Sequence, residues 1–398
     1  MATAVLSSAA APVAGQTWPM FAEDEIADVV AVLRSGKVNQ WTGDRVKLFE
    51  TRFTQKMGCA RGLALANGSL ALELALKTLG VGPGDEVIVT PRSFVASAFC
   101  AMLVGARPVF ADIDRDSGNI TAQTIAACIT ARTRAIVPVH LGGWPCDMPQ
   151  IMALAARHNC VVVEDCAQSH GAEIDGRPAG AFGHAAAWSF CQDKIMTTGG
   201  EGGFVTFQDA AHWEKAWSFK DHGKNWREVN SPPKEPGFRW LHDSVGTNWR
   251  MTEMQAAIGL RQLDKLDAWR DARTRNAAIY DRALAGLPAI RAPSPRAGLH
   301  HAFYKHYVYV RPQALKPGVT RDTLLALLAE RGLRAFSGSC SEIYREKAFA
   351  DLAVEACPNA RELGETSLMF EVHPTLDPAH VERCARGVAE TVAGVQRA

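Results

Sequence analysis

Short runs of β-branched and other apolar residues alternate with helix-length segments through the first half of this 398-residue chain. The runs are apolar at consecutive positions, as strands of a parallel sheet are when both faces are covered. This alternation favours right-handed crossovers and an open α/β sheet. The predicted strands are Glu86–Thr90, Pro108–Ala111, Ala135–Val139, Cys160–Val163, Ala185–Phe190 and Phe204–Phe207. The predicted helices between them are Ser93–Val104, Thr121–Thr130 and Asp147–His158.

The pattern changes after Gly246, where apolar residues begin to recur at helical spacing and predict one long helix over Met251–Leu284. A proline-rich connector follows, and then a strand (His306–Val310), a helix (Arg321–Arg331) and a last helix from Pro378 onward. We therefore expect two domains, because the chain is too long for one ordinary core. The predicted divisions are a disordered leader over 1–15, a large α/β domain over 16–265, and a smaller C-terminal α+β domain over 266–398.

Charge and composition exclude several classes of partner. Lys and Arg number 43 against 42 Asp and Glu, and no basic block stands out, so neither nucleic acid nor an anionic membrane is favoured. No apolar stretch approaches the ~20 residues of a membrane span, and the leader lacks the basic start of a signal peptide. The ten cysteines include no C-x-x-C pair. We therefore expect a cytoplasmic protein with neither disulfides nor a metal site.

The sequence feature with the most chemical content is Lys194, in a loop between two predicted strands and before four glycines around Glu201. A desolvated amine can condense with a carbonyl, although most lysines are solvated surface groups. A second feature strengthens this reading: Asp165 ends another buried strand, in Glu164–Ala172. A pyridoxal-phosphate enzyme needs both groups, a lysine to hold the aldehyde and an acid to keep the pyridine nitrogen protonated.

A phosphate site is predicted at the start of the amphipathic segment Asn67–Gly80, where Gly68 and Ser69 open a helix. The N-terminus of a helix binds anions through its free N–H groups and its dipole. An ordinary helix cap explains these residues equally well when they are taken alone. The glycines of Thr197–Gly203 lack the order of a nucleotide-triphosphate loop, and predict a tight turn that lets the backbone pass close to a cofactor.

Taken together, these motifs resemble the DegT/StrS-type nucleotide-sugar aminotransferases, a family of fold-type-I pyridoxal-phosphate enzymes. The resemblance extends from about residue 36 to the final helix. Six motifs match in order: Asn67–Leu72, Pro91–Ser97, Pro138–Leu141, Glu164–Gly171, Ser189–Lys194 with Gly200–Gly203, and Gly246–Glu253. The resemblance implies a large domain with a mostly parallel sheet of the seven-stranded type and a smaller C-terminal domain.

Site roles follow from the resemblance alone. It implies that Lys194 is the Schiff-base lysine and acid/base, that Asp165 pairs with the pyridine nitrogen, and that Gln168 approaches the cofactor's 3-hydroxyl. It also implies that Phe94 stacks on the ring. The resemblance further implies that Gly68, Ser69 and Ser189 bind the cofactor's phosphate, together with Asn248 from a neighbouring subunit. The active unit would then be a homodimer with shared active sites.

Several of these residues also have a purely structural interpretation. Phe94 could belong to the core, Asp165 could cap a helix, and Ser189 could be an ordinary strand hydroxyl. Both His170 and His222 are candidate pocket residues for which a structural role is favoured. The segment Trp226–Asp243 is compatible with a lid over a sugar nucleotide, with Arg239 or Lys234 near a diphosphate, and equally with a solvated insertion.

The function implied is transfer of an amino group from L-glutamate to a nucleotide-linked keto-sugar, at C3 or C4 of a deoxyhexose, in amino-sugar biosynthesis. Alternatives are a pyridoxamine-phosphate-dependent sugar dehydratase or deoxygenase, an aminotransferase of a long-chain keto-sugar acid, and a non-catalytic regulatory relative. Lys194 argues against the dehydratases, whose members resemble this chain but carry histidine there. The set Lys194, Asp165 and Gln168 argues against a non-catalytic protein, which needs none of the three.

Overall fold

The computed structural model describes residues 17–232 and 237–397. The predicted leader over residues 1–15 lies outside this part of the chain, as does Lys234. The helices are α1 Glu23–Ser35, α2 Arg45–Lys56, α3 Gly68–Thr78, α4 Ala96–Leu103, α5 Ala122–Ala126, α6 Met148–Arg157, α7 Ala210–Lys220, α8 Trp226–Val229, α9 Glu253–Leu284, α10 Arg321–Glu330, α11 Pro358–Thr366 and α12 Pro378–Val395. The strands are β1 Arg61–Leu65, β2 Glu86–Val89, β3 Arg107–Phe110, β4 Thr133–Val137, β5 Val161–Asp165, β6 Glu173–Ile174, β7 Arg177–Pro178, β8 Ala185–Ser189, β9 Gly203–Phe207, β10 Ile290–Arg291, β11 Leu299–His300, β12 His306–Val310 and β13 Ser367–Phe370.

A seven-stranded sheet in the order β1-β9-β8-β5-β4-β2-β3 forms the centre of the fold. Neighbouring strands are parallel from β8 through to β3, and β9 runs antiparallel to both β8 and β1. Strands β2 and β9 are buried throughout and β4 is buried except for the half-buried Arg134, because helices cover both faces of the sheet. The predicted α/β class and the mostly parallel seven-stranded sheet are therefore confirmed.

The parallel arrangement determines where a site can form. Strands that run in one direction bring their carboxyl ends to one edge of the sheet, which is where open α/β folds bind ligands. The loop after β5 begins at Asp165, and the β8–β9 connection carries Lys194. The turn after β1 leads into α3, whose N-cap Asn67 accepts a hydrogen bond from the Leu70 N–H. Three of the predicted functional segments therefore meet at one edge.

The long helix predicted over Met251–Leu284 is present as α9, which begins at its N-cap Thr252. The Thr252 side chain accepts from the Gln255 N–H and Gln255 reaches back to the Thr252 N–H, a reciprocal cap that fixes the start of the helix. Helices α1, α2 and α12 pack along α9. Beyond α9, β10, β12 and β13 form a separate three-stranded sheet over a core of its own. The domain boundary at 265/266 falls inside α9 and stays a prediction.

Within residues 17–232 and 237–397, none of the helices is both long enough and apolar enough to cross a bilayer.

Candidate active site

The Asp165 carboxylate is buried at the carboxyl edge of the sheet, with 3% of the residue exposed. One oxygen accepts from the Ser97 hydroxyl at 2.7 Å and the other from the Ala167 N–H at 3.1 Å. No helix begins after it, so Asp165 is not a helix cap. Burial raises the pKa of this carboxyl, and the Ser97 hydroxyl, the Ala167 N–H and the Lys194 ammonium offset that only in part. The site is short of positive charge, which a protonated pyridine nitrogen would supply.

The end of β5 is fixed by a buried hydrogen-bond network around Glu164. His140 Nδ1 accepts from the Cys146 N–H, and its Nε2 then donates to Glu164 at 3.0 Å. Glu164 also accepts backbone N–H groups of residues 180, 182 and 183, at 2.6 to 2.8 Å. Cys166 lies beside this pair at a spacing a metal could use. The ring nitrogens and carboxylate oxygens are already engaged, so we assign the group a structural role: it holds β5, and with it Asp165, in register.

The segments predicted to bind a phosphate are in close backbone contact. A Cβ placed on Gly68 would lie 2.6 Å from the Ser189 Cβ, and one on Gly203 would lie 2.1 Å from the Asn67 carbonyl oxygen. Glycine is therefore required at both positions for the N-terminus of α3 to reach the ends of β8 and β9. This contact places Gly68 and Ser69 beside Ser189, with the free N–H groups of α3 at the same edge as Asp165.

Lys194 is anchored through its main chain. Its N–H donates to the Cys191 carbonyl at 3.0 Å, and its carbonyl accepts from Trp18 Nε1 at 2.8 Å. The side chain is 15% exposed, and its Nζ lies 3.7 Å from Asp193 Oδ1 and 5.1 Å from the centroid of the Tyr304 ring. The amine is thus mostly enclosed and electrostatically coupled to Asp165.

Gln168 and Phe94 lie on two other loops of the carboxyl edge. The side-chain oxygen of Gln168 accepts from the Gly142 N–H at 2.7 Å, and within the described residues its amide nitrogen makes no hydrogen bond. That nitrogen is free to donate to a cofactor oxygen. Phe94 precedes α4 and is 59% exposed, so it does not belong to the core.

The remaining predicted residues make hydrogen bonds within the segment 222–250. Asn248 is exposed, and its side-chain oxygen accepts from the Arg250 N–H. His222 is exposed and has a positive φ of 61°, and its carbonyl oxygen accepts a hydrogen bond from His242 Nδ1. Arg239 donates to the Glu228 carbonyl within its own segment. The sequence prediction of these as substrate or phosphate contacts remains untested within one chain.

His170 occupies a structural position. It is fully buried, its ring lies 5.5 Å from that of Phe190 and 6.4 Å from that of Phe53, and neither ring nitrogen has a hydrogen-bond partner within the described residues. Burial lowers the pKa of His170 to about 3, so the imidazole is neutral at physiological pH. This arrangement supports the structural role favoured by the sequence.

Four residues near the site were not predicted from the sequence: Ser97, Asp193, Tyr304 and Lys305. Ser97 lies inside the Pro91–Ser97 motif, and only its distance of 68 positions from Asp165 concealed the contact. Tyr304 and Lys305 come from the segment before β12, which packs on the 141–143 turn through the hydrogen bonds of Ala302 and Lys305 to the Gly143 and Gly142 carbonyls. No local signal marks such a contact.

The arrangement defines a fold-type-I aminotransferase. The chain belongs to the DegT/DnrJ/EryC1/StrS aminotransferase family, whose sequence model matches residues 19–389. It is 36% identical to a UDP-N-acetyl-3-dehydro-alpha-D-glucosamine 3-aminotransferase of Acidithiobacillus ferrooxidans over 352 residues, 88% of this chain and 90% of that one. It is also 36% identical to GDP-perosamine synthase of Caulobacter vibrioides over 337 residues, 84% and 86% of the two chains. Among solved structures, an aminotransferase from Psychrobacter cryohalolentis superposes with a TM-score of 0.93 at 47% identity, covering 95% of this chain and 99% of that one.

The family match confirms the resemblance drawn from the six motifs, and with it the enzyme class: the protein is an aminotransferase of the pyridoxal-phosphate-dependent class.

Because burial raises the pKa of Asp165, we predict that its carboxylate lowers the stability of the cofactor-free protein, although activity requires it. Because the folded-state pKa exceeds the unfolded value of 3.8, the folded protein holds the proton more tightly, and stability falls as pH rises through the folded-state pKa. Without cofactor, Asp165→Asn should therefore have a higher urea midpoint than wild type at pH 7.5. The difference between the two urea midpoints should shrink as the pH falls towards 3.8.

Tryptophan fluorescence in urea at several pH values measures this difference. Saturating pyridoxal phosphate should stabilise wild type more than the variant, because the ring nitrogen supplies the missing charge. A midpoint below that of wild type at pH 7.5 without cofactor would show that the hydrogen bonds to Asp165 outweigh its burial.

Proposed function

We propose that this protein transfers an amino group from L-glutamate to the ketone carbon of a nucleotide-linked keto-sugar, using pyridoxal phosphate held at the carboxyl edge of the seven-stranded sheet. The observation that carries the proposal is the convergence of Lys194, buried Asp165 and the Gly68–Ser189 contact at that edge. The two relatives named for UDP- and GDP-linked sugars support a nucleotide-sugar acceptor.

Each of these residues has a distinct task toward the cofactor. The N–H groups at the start of α3, with Ser69 and Ser189, bind the phosphate, and the Gly68 contact keeps them together. Asp165 would hold the pyridine nitrogen and keep it protonated, Gln168 would donate to the 3-hydroxyl oxygen, and Phe94 would pack on the ring. When bound, the cofactor supplies an electron sink for the electrons left behind as a proton leaves the donor's α-carbon.

Lys194 has two tasks. Its Nζ would hold the cofactor aldehyde between turnovers, and the free amine would move the proton at the donor's α-carbon. The enclosure of its side chain by Tyr304 and the β8–β9 loop excludes water from this transfer. Arg239, which is half-buried, and Lys234 stay candidates for the diphosphate, and the exposed His222 for the sugar.

The active unit is a homodimer with composite sites. Asn248 is exposed close to three strongly exposed apolar side chains, Phe238, Trp240 and Val245, with 79, 88 and 90% of their surfaces accessible. Exposed apolar residues in one segment mark an interaction surface. In a two-fold dimer each subunit lends its Asn248 to the phosphate site of the other, so both sites form together.

Mixing two inactive variants tests the dimer. Lys194→Ala removes the amine, and Asn248→Asp sets a carboxylate against the phosphate. In a mixed dimer one site carries both lesions and the other carries neither. Random mixing should therefore restore about a quarter of wild-type activity, since half of the dimers are mixed and each has one intact site. A fully active monomer, or no recovery after confirmed subunit exchange, would place the whole site within one chain.

The substrate is tested with a panel of UDP-, GDP- and dTDP-linked 3-keto and 4-keto sugars, with glutamate as donor. We expect 2-oxoglutarate and one amino sugar in equal amounts. Release of water from the sugar without amine transfer would instead identify a dehydratase. Bound cofactor with no turnover of any nucleotide sugar, but turnover of a free keto acid, would remove the nucleotide sugar from the proposal.

A further inference from the structure

A carboxylate and a phenol flank the amine of Lys194. Asp193 Oδ1 lies 3.7 Å from Lys194 Nζ, and Asp193 Oδ2 accepts a hydrogen bond from the Tyr304 hydroxyl. The same Nζ lies 5.1 Å from the centroid of the Tyr304 ring, a distance at which an ammonium group is attracted to the ring face. The three groups form a closed triangle between the β8–β9 loop and the segment before β12.

The two backbone segments that carry this triangle, at Tyr304 and at Lys194, are each held by a hydrogen bond to their carbonyl oxygen. The Tyr304 carbonyl accepts from Arg273 Nη1 at 3.2 Å, and Arg273 lies in α9 with 1% exposure. The Lys194 carbonyl accepts from Trp18, whose ring lies 5.0 Å from the Arg273 guanidinium. An exposed ion pair between mobile side chains contributes little to the free energy of folding. In this protein the backbone at Lys194 and at Tyr304 is already held by hydrogen bonds, so less conformational entropy is lost when Lys194 and Asp193 pair.

The protonation states of Asp193 and Tyr304 are constant at neutral pH. Burial opposes the charge of Asp193, but the Lys194 ammonium, the Tyr304 hydroxyl and Lys305 outweigh it and lower the pKa of Asp193. Burial, reinforced by Asp193, raises the pKa of Tyr304 well above its usual value. Asp193 is therefore an anion and Tyr304 a neutral donor, and neither passes a proton to the amine. The nearest further cation, Lys305, faces Glu371 at 3.7 Å.

We propose that Asp193, held by Tyr304, is a positioning residue for Lys194 that keeps the free amine seated on the Tyr304 ring. The inference rests on the proposed function, in which Lys194 is free during part of each cycle. Without Asp193 the side chain can leave the position from which it carries a proton, and small misplacements of a reacting group are costly.

Amine reactivity in the cofactor-free protein tests the proposal directly. Acetic anhydride acylates an amine that it can reach, so an amine held between Asp193 and the Tyr304 ring is protected. Labelling of Lys194 at pH 7.5, measured by peptide mass spectrometry, should rise about fivefold in Asp193→Asn, given a partly solvated charge at this distance. Tyr304→Phe should give a smaller rise, and Asp193→Glu should restore protection. Asp271→Asn makes the same chemical change at an exposed site on α9 and should leave labelling unchanged.

Kinetics provide a second readout. In the loaded enzyme, Asp193→Asn should lower kcat about tenfold and leave KM for the donor within twofold, since the residue does not contact substrate. Unchanged labelling of Lys194 in Asp193→Asn, or an equal rise in Asp271→Asn, would overturn the inference. Failure of borohydride to fix pyridoxal phosphate onto Lys194 in wild type would instead overturn the proposed function, and the labelling result would stand apart from it.

Discussion

Lys194→Ala and Lys194→Arg should each lower amino transfer by at least about three orders of magnitude, because both the bond to the cofactor and the proton carrier are lost. Alanine has no amine, and arginine stays charged and cannot condense with the aldehyde. Transfer from glutamate to the keto-sugar is measured as 2-oxoglutarate released. The matched control is Lys37→Ala, an exposed lysine outside the site, which should retain wild-type rates.

The fold should survive both substitutions at Lys194, since the main chain of residue 194 provides the contacts with Trp18 and Cys191. Circular dichroism and the unfolding midpoint test this separately from activity. Normal turnover in the alanine variant would mean that another lysine binds the cofactor. Two others are largely enclosed, Lys220 beside Gln40 and Lys305 beside Glu371, and burial lowers the pKa of each.

Asp165→Asn should reduce turnover by about a hundredfold or more while the cofactor still binds. The amide keeps the shape of the carboxylate and can remain beside Ser97, but it cannot hold a proton on the pyridine nitrogen, so the electron sink is lost. Titration of the bound cofactor's absorbance should find the ring nitrogen unprotonated near neutral pH.

Asp271→Asn, an exposed change of the same kind, is the control for this variant and should retain activity. Near-normal turnover in Asp165→Asn would place the partner of the ring nitrogen elsewhere. Together with the expected gain in stability without cofactor, loss of turnover would show that Asp165 is retained for chemistry at the expense of the apo fold.

Elements with strong local patterns were predictable from the sequence. Strand β12 matches the prediction over His306–Val310 at both ends, and α9 differs by two residues at its start. The helix predicted over Thr121–Thr130 is shorter and ends at Ala126; beyond this end, the Thr130 hydroxyl is engaged with Glu86 and accepts from the Arg132 N–H. A side chain that bonds to nearby backbone in this way competes with the helix.

Strand β1 was missed because Arg61–Leu65 contains no β-branched residue and depends on pairing with β9. Tertiary pairing of this kind leaves no local trace. For the site, Asp165 and Lys194 were found because each follows a buried strand. Tyr304 was not, since it reaches Asp193 across 111 positions of sequence. The motifs therefore predict the groups that would contact the cofactor, and the structure adds the side chains that hold these groups in place.

The most direct test of the central claim is borohydride reduction of the purified protein with pyridoxal phosphate, followed by peptide mapping. The account predicts one reduced cofactor per chain, attached to Lys194, and loss of the label in Lys194→Ala. A visible absorption band that disappears on reduction should accompany it. Attachment to Lys220 or Lys305, or no covalent label under conditions where the cofactor is bound, would contradict the assignment of Lys194 and the site built around it.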